Sequence, residues 1–378
     1  MRWDEPVPDE RAAEDRSWEV VRAAWDERVP AARSSVVRRR WPLLALAAGL
    51  AVAAAALSPP GMAVLGSIRD AVRGEPNARA GLFSLPTGRL LVQSDRGVWV
   101  VQRDGSKRLL AGYRDASWSP HGLYLAAIHG SELRALEPNG NVHWSVARPG
   151  RLATPRWSFE GFRTAYRAGN ELRVVNGNGT EDHLLAAGIA PVAPAWRPGT
   201  HVVAYVDGAG DVRIVDADAN RLVRLIHPSA RPVALEWSSN GRYLLVRGRH
   251  SIELFGARGV HLTPLSAGAA PVTAASFSPD GRSIAFIQQV SIKDGQRSFL
   301  WVYRRIRPDG TSAGRVFAGA GRFGGVEWSP DGRWLLLDWD SADQWLFIRS
   351  ASVNRVLPVS NVTSSFGHDA RVAGWCCP

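Results

Sequence analysis

Two carboxylates late in the sequence are the residues best suited to acid–base chemistry. Asp338 and Asp340 flank Trp339 in the stretch DWDSADQ. A pair of converging carboxyl groups can act as general acid and general base, as in a lyase or a glycosidase. Residues two apart need not converge in a strand or a loop, so an enzyme is the least favoured interpretation of this stretch.

The same region carries residue types that are typical of binding surfaces. Arg322 and Phe323 lie in GAGRFGG, and Lys293 and Arg297 lie in the long basic stretch QQVSIKDGQRS. Arginine and aromatic side chains flanked by charge are enriched at binding hot spots. With the residues around Trp339 they form a candidate ligand- or partner-binding site. Ordinary solvated loops are the alternative interpretation.

No other motif predicts catalysis or a cofactor. None of the nine histidines falls in an HxH or HExxH spacing, and no GxSxG or P-loop motif is present. Residues 319–324 match GxGxxG, but strands are expected on both sides, which argues against dinucleotide binding. Two adjacent cysteines, Cys376 and Cys377, cannot complete a four-ligand zinc site. The sequence therefore predicts a protein without a cofactor that is not an enzyme.

The elements that position these residues belong to a repeat, whose aromatic anchors are 39 to 51 residues apart. Each unit runs from an anchor through a glycine turn, as in Trp328 to Gly332, into an apolar strand. An alternating strand, a second turn and a short fourth strand follow. Four strands per unit at this period predict a propeller blade, with one large ring packed between neighbouring sheets. The anchors are Trp118, Trp157, Trp196, Trp237, Phe277 and Trp328.

The segments ASWSPHGLYLAA, ASFSPDGRSIAF and VEWSPDGRWLLL resemble the TolB-type, WD-like (PD-repeat) β-propeller repeat of bacterial envelope proteins. The resemblance covers residues 88–377 and implies a propeller in a membrane-anchored bacterial protein. It implies little about activity, because such propellers occur in binding proteins, in regulatory domains of peptidases and in a few enzymes.

The first blade is incomplete in sequence order. Residues 88–111 contain three of its strands but lack the strand that carries an anchor, and Trp375 follows Trp328 in phase with the repeat. We therefore predict an all-β, seven-bladed β-propeller over residues 88–378, closed by the C-terminal strand around Trp375. Cys376 and Cys377 then replace the Ser-Pro of other repeats. We expect a reduced pair packed at this seam, with a strained disulfide as the alternative.

An uncharged stretch near the N-terminus predicts a membrane anchor. Residues 41–57 carry no charge and follow three arginines, Arg38, Arg39 and Arg40. Extended to residues 38–58, the stretch is long enough for a transmembrane helix, and the arginines predict a cytoplasmic N-terminal side. The propeller would then lie outside the cytoplasmic membrane. A cleaved signal peptide is the alternative.

Two short segments flank the predicted span. Residues 1–37 form a cytoplasmic segment with one amphipathic helix, whose apolar face presents Trp18 and Trp25 as a candidate docking site for a partner. A helix that rests on the membrane surface is the alternative. Residues 59–87 are predicted to be a linker with a second short amphipathic helix.

The formal charge of +11 comes from arginines that are spread over every repeat. Because a nucleic-acid footprint is clustered, this distribution argues against nucleic-acid binding. We expect a membrane-anchored, extracytoplasmic, non-enzymatic binding or scaffold module for a protein or cell-envelope ligand. The alternative is a transmembrane signalling regulator, similar to anti-sigma proteins, whose propeller senses an external ligand.

Overall fold

The computed structural model describes residues 84–262, 270–293, 295–304, 313–351 and 355–377, which contain 28 strands and two short helices. In chain order the strands are β1 (Arg89–Ser94), β2 (Gly97–Val101), β3 (Lys107–Ala111), β4 (Tyr113–Trp118), β5 (Leu125–His129), β6 (Glu132–Leu136), β7 (Val142–Ala147), β8 (Leu152–Trp157), β9 (Arg163–Ala168), β10 (Glu171–Asn176), β11 (His183–Ala187), β12 (Ala195–Trp196), β13 (Val202–Val206), β14 (Val212–Asp216), β15 (Arg221–Ile226), β16 (Ala234–Trp237), β17 (Tyr243–Arg247), β18 (Ile252–Gly256), β19 (His261–Leu262), β20 (Val272–Phe277), β21 (Ser283–Ile292), β22 (Gly295–Arg304), β23 (Ala313–Ala320), β24 (Gly325–Trp328), β25 (Trp334–Trp339), β26 (Gln344–Arg349), β27 (Val356–Ser360) and β28 (Arg371–Cys376). The helices are a 3-10 helix η1 (Asp340–Ala342) and α1 (Val362–Phe366).

The strands form seven antiparallel sheets of four strands each, which are the blades of a propeller. Blade one has the order β28-β1-β2-β3, and blades two to seven take β4–β7, β8–β11, β12–β15, β16–β19, β20–β23 and β24–β27 in turn. The first strand of each blade contacts the first strands of both neighbours, so these strands surround a central channel. The prediction of an all-β, seven-bladed propeller is confirmed.

The ring closes where β28 pairs with β1. Arg89 lies opposite Cys376 and Gln93 lies opposite Arg371, so the last described strand supplies the inner strand of blade one. Without this pairing, β1 would expose an unpaired edge. With it, blade one is complete and the propeller is closed between blades seven and one.

Each anchor lies at or next to the end of the first strand of its blade, where its aromatic side chain enters the space between neighbouring sheets. Six of the seven are between 5% and 9% exposed, and Trp118 is half-buried. The indole N–H groups of Trp196 and Trp328 donate to backbone carbonyls of the preceding blade, those of Arg156 and Ser276. The anchors therefore join blades by packing and, at these positions, by hydrogen bonds.

The turn after the anchor explains the Ser-x-Asp-Gly pattern. In blade six the Ser278 hydroxyl donates to Asp280 over 2.6 Å and accepts from the Ser283 N–H over 2.9 Å. Gly281 has φ +65°, a left-handed conformation that glycine adopts without strain. The aspartate of this motif thus fixes the turn.

The two sides of the ring carry different loops. We call one side the loop face: it carries the turns between the second and third strands of each blade and the connections between blades. We call the opposite side the anchor face: it carries the turns between first and second strands, next to the anchors, and the turns between third and fourth strands. The residues singled out in blades six and seven lie on the loop face, whereas Cys376 and Cys377 lie on the anchor face.

Candidate functional site

Three segments meet on the loop face at blades six and seven: the β21–β22 hairpin, the connection between β23 and β24, and the β25–η1 junction. The Gly321 N–H donates to the Gln296 carbonyl over 2.7 Å, and the Ser298 hydroxyl donates to the Gly321 carbonyl over 2.8 Å. The Ser341 N–H donates to the Arg322 carbonyl over 3.3 Å. The structure therefore brings together the stretches that the sequence singled out.

The basic stretch of blade six is mainly strand rather than loop. Strands β21 and β22 are ten residues each and pair as far as Ile292 and Gly295. Lys293 is exposed at the tip of this hairpin. Arg297 is half-buried, and its guanidinium lies 5.9 Å from the centre of the Phe299 ring. Both side chains stand beside the meeting point of the three segments and not in the cavity described below.

An ion pair joins the connection between blades to the β25–η1 junction. Arg322 Nε donates to Asp340 Oδ2 over 2.8 Å, and the Arg322 N–H donates to the Ser341 hydroxyl over 2.7 Å. A Cβ on Gly324 would come within 2.9 Å of the Asp340 carboxyl group, so glycine permits this close approach. The exposed Arg322 is held over one edge of blade seven.

Asp338 and Asp340 do converge. Asp338 is only 5% exposed and lies within hydrogen-bond reach of Asp340. Burial, with a smaller contribution from the Asp340 carboxylate, raises the pKa of Asp338 to about 8. Near neutral pH Asp338 therefore keeps its proton, and it can donate this proton in the bond to Asp340.

Two aromatic residues of the predicted site are structural. Phe323 is fully buried, and its ring centre lies 5.9 Å from that of Phe317 and 5.6 Å from that of Trp339. Trp339 is half-buried, and its indole N–H donates to the Ala320 carbonyl over 2.9 Å. Phe323 cannot contact a ligand without leaving the core, so these rings support the site by holding the connecting loop to blade seven.

A cavity of about 850 Å³ opens beside the ion pair, between blades seven and one. Arg322, Asp338 and Asp340 line its blade-seven side. Its remaining charged and ionisable lining residues, most of them at the ring seam, are Asp95, Glu327, Asp343, His368, Asp369 and Arg371. Six carboxyl groups thus face two arginines and one histidine. Sequence reasoning missed the blade-one residues, although the predicted closure of the ring already placed residues 368–372 next to residues 93–95.

Charged residues also lie on the inner strands, which are the first strands of the blades. Glu236 and Glu327 each precede an anchor by one residue, as does Arg156 in blade three. Burial raises the pKa of Glu236 to about 8, with a further contribution from Glu327, and burial raises the pKa of Glu327 to about 7. Glu236 accepts hydrogen bonds from the Phe277 N–H and the Ser276 hydroxyl. Carboxyl groups with raised pKa values are therefore present both in the cavity and along the inner strands.

The cysteines occupy the seam on the opposite face. Cys376 and Cys377 are joined as a vicinal disulfide, which differs from the reduced pair that we expected. A Cβ on Gly122 of blade two would lie 2.7 Å from Cys376 Sγ, and Arg89 donates to the Gly122 carbonyl over 2.8 Å. The pair packs against blade two because the Trp375 strand ends there.

Several predictions fall on the N-terminal segment. Trp18, Trp25, the anchor at residues 38–58 and the uncharged stretch 41–57 lie outside the described residues. Within the part of the chain that the structure describes, no helix has the length and apolarity needed to cross a membrane. Within that same part, no three His, Cys, Asp or Glu side chains are grouped so that they could hold a metal ion.

Comparison with known proteins supports the fold. No protein-family model and no curated protein matches this sequence. Hydrazine synthase of Kuenenia stuttgartiensis is similar in structure, with a TM-score of 0.52 and 14% identity over 64% of this chain and 78% of that chain. Hsv2 of Kluyveromyces lactis has a TM-score of 0.52 and 11% identity, covering 69% of this chain and 89% of that chain. A variant of Hsv2 with loop 6CD replaced by a Gly-Ser linker is also similar, over 71% and 90% of the two chains. At these identities the likeness shows a shared seven-bladed propeller fold.

Proposed function

We propose that this chain is a non-enzymatic binding module, anchored in the cytoplasmic membrane by residues 38–58 and carrying its propeller outside. The cavity of about 850 Å³ at the ring seam is the observation that carries the proposal. It opens on the loop face, where propeller loops vary without disturbing the blades and where function therefore tends to reside. Its ligand is a protein segment or a component of the cell envelope.

The lining of the cavity favours a ligand with a positively charged group. Of its six carboxyl groups, Asp338 is protonated near neutral pH and Glu327 is partly so, but the remaining four still outnumber Arg322 and Arg371. Complementary charge steers encounter and selects among partners more than it adds raw affinity. A lysine- or arginine-bearing peptide, or an amine-bearing envelope component, fits this description.

The geometry of the carboxylate pair supports binding over glycoside hydrolysis. Glycosidases hold their two carboxyl groups at least about 5 Å apart, so that the sugar or a water fits between them. Asp338 and Asp340 are within hydrogen-bond reach of each other, closer than the spacing of either glycosidase class. Asp340 is also engaged by Arg322. In the proposed module these carboxyl groups shape the charge of the cavity.

Affinity capture with a charge-pair variant tests the proposal. Full-length protein, solubilised from native membranes, serves as bait beside the double variant Arg322→Ala/Asp340→Ala. Glu132→Ala/Arg134→Ala is the matched control, because it removes an ion pair of 2.7 Å from the loop face of blade two, away from the cavity. We expect one ligand to be retained by wild type and control and lost from the Arg322/Asp340 variant at an unchanged melting temperature. Equal retention by all three proteins would refute a binding role for this cavity.

A further inference from the structure

The anchor face carries an exposed apolar patch, formed by Leu123 of blade two with Phe159 and Phe162 of blade three. These side chains are 64%, 54% and 67% exposed. They lie in the turns that follow the anchors of two adjacent blades. The two turns touch, since a Cβ on Gly161 would lie 3.7 Å from Pro120. The three residues therefore belong to one continuous surface.

The turn of blade three does not need its two phenylalanines. The Ser158 hydroxyl accepts from the Arg163 N–H over 3.1 Å, and the Gly161 N–H donates to the Ser158 carbonyl over 3.0 Å. Phe159 and Phe162 stand where blade seven has Pro330 and Arg333 in the same turn. Because the fold accepts polar or small residues here, two exposed aromatic rings point to contact with an apolar environment.

The chain enters the propeller on the same face. The Leu85 N–H donates over 2.8 Å to the carbonyl of Arg103, which lies in the turn between β2 and β3. That turn belongs to the anchor face. The described part of the chain therefore begins on the side of the ring that carries the apolar patch, the side to which the proposed anchor at residues 38–58 would be connected.

Basic residues occupy the corresponding turns on the other side of the ring. Arg242, Arg282 and Arg333 follow the turn glycines of blades five, six and seven, and all three are exposed. The carboxylates of Asp280 and Asp331 in two of these turns accept hydrogen bonds from the turn itself. Apolar side chains together with arginines on one face are typical of surfaces that lie in the headgroup region of anionic membranes.

We propose that the anchor face lies against the bilayer, with Leu123, Phe159 and Phe162 inserted among the headgroups and the arginines of blades five to seven over anionic lipid phosphates. This inference rests on the membrane anchoring in the proposed function. It adds the orientation of the ring: the loop face and its cavity are presented away from the membrane, where a ligand of the envelope can reach them.

Lipid photo-crosslinking in the full-length chain tests this orientation. Benzoylphenylalanine replaces Phe162 in one protein and Ile292 in the control, because Ile292 is an apolar residue, 50% exposed, on the loop face. Both proteins are reconstituted into phosphatidylcholine vesicles with and without phosphatidylglycerol. We expect lipid adducts at position 162 and none at position 292. Equal adducts at both positions, or adducts at 162 only with a second copy or another protein, would overturn the proposal.

A variant with turn residues taken from blade seven tests whether Phe159 and Phe162 insert among the lipid headgroups or only lie near the bilayer. Phe159→Pro with Phe162→Arg gives blade three the turn residues of blade seven, so the fold is kept. With the crosslinker at Leu123, this variant should lose lipid adducts at least about tenfold in the vesicles without phosphatidylglycerol, where the new arginine finds no anionic lipid and two inserted aromatic side chains are removed. Arg282→Ser should lower the adduct yield about fivefold in the phosphatidylglycerol vesicles only. Unchanged yields in both variants would contradict insertion and charge contact alike.

Carbonate extraction of the same vesicles distinguishes the proposed membrane anchor from the proposed orientation of the propeller. Retention of the chain without lipid adducts at position 162 refutes the orientation and leaves the anchor standing. Release of the chain with adducts before extraction supports docking of the anchor face and refutes the anchor. Release without adducts refutes both.

Discussion

The substitution Trp375→Ala tests whether the ring is held closed at the β28–β1 seam. Trp375 is 9% exposed, and its ring packs edge-on against Phe347 with centres 5.4 Å apart. Its indole N–H donates over 2.8 Å to the carbonyl of Thr87, which is itself buried. This one side chain thus contacts both blade seven and the segment that leads into β1.

The expected cost follows from these contacts. Truncation of a buried tryptophan costs about 3–5 kcal/mol in packing, and a buried carbonyl left without its donor costs about 1–3 kcal/mol. Because the two contributions overlap, we expect the free energy of unfolding to fall by about 5 kcal/mol. Trp118, the anchor of blade two, is half-buried and its indole N–H has no protein acceptor. Trp118→Ala should therefore cost only about 2–3 kcal/mol.

Urea unfolding of the full-length chain, followed by far-ultraviolet circular dichroism, measures both values without relying on tryptophan fluorescence. Trp375→Phe is the matched control: it keeps an aromatic ring, loses the hydrogen bond and should cost about 1–2 kcal/mol. A Trp375→Ala protein that is no less stable than Trp118→Ala would refute the seam as we describe it.

Three further predictions concern the seam, the inner strands and the support of the site. Gly122→Ala should destabilise the chain by about 1–3 kcal/mol more than Gly199→Ala in thermal unfolding, because both glycines have positive φ but only the first meets the cysteine pair; equal costs would show that this contact is absent. Because Glu236 has a pKa of about 8 in the folded chain and an ordinary one when unfolded, the folded state holds more protons between these values. Stability should therefore fall by up to about 1.4 kcal/mol per pH unit across that window, and urea midpoints at pH 5, 7 and 9 should vary less in Glu236→Gln; an unaltered pH profile would contradict the assignment. Phe323→Ala should cost about 3–5 kcal/mol in urea unfolding, as expected for a core residue and not for a surface contact; a loss below about 1 kcal/mol would mean that the ring is not part of the core.

The sequence predicted the fold well because its signals are local and repeated. An anchor, a glycine turn and an apolar strand recur in every unit, and each signal needs only neighbouring residues to be recognised. The pattern that places Trp375 one period after Trp328 was enough to predict that β28 completes blade one.

The candidate site was predicted only in part. Arg322, Asp338 and Asp340 were selected for residue type, and the structure places them together at the cavity. Phe323 was selected by the same argument, yet it is buried, because residue type alone does not say which side of a loop faces the core. The basic stretch of blade six forms long strands, because backbone pairing with β23 continues along it.

By itself, the sequence determined the number of blades, the anchors and the way in which the ring closes, since these depend on periodicity and on residues with strong conformational preferences. Only the tertiary structure decided which charges meet across the seam. The cavity joins residues of blade seven to Asp95 and Asp369, and the latter two lie at opposite ends of the propeller sequence. Burial and close approach raise the pKa of Asp338, and both depend on the assembled ring rather than on any one repeat.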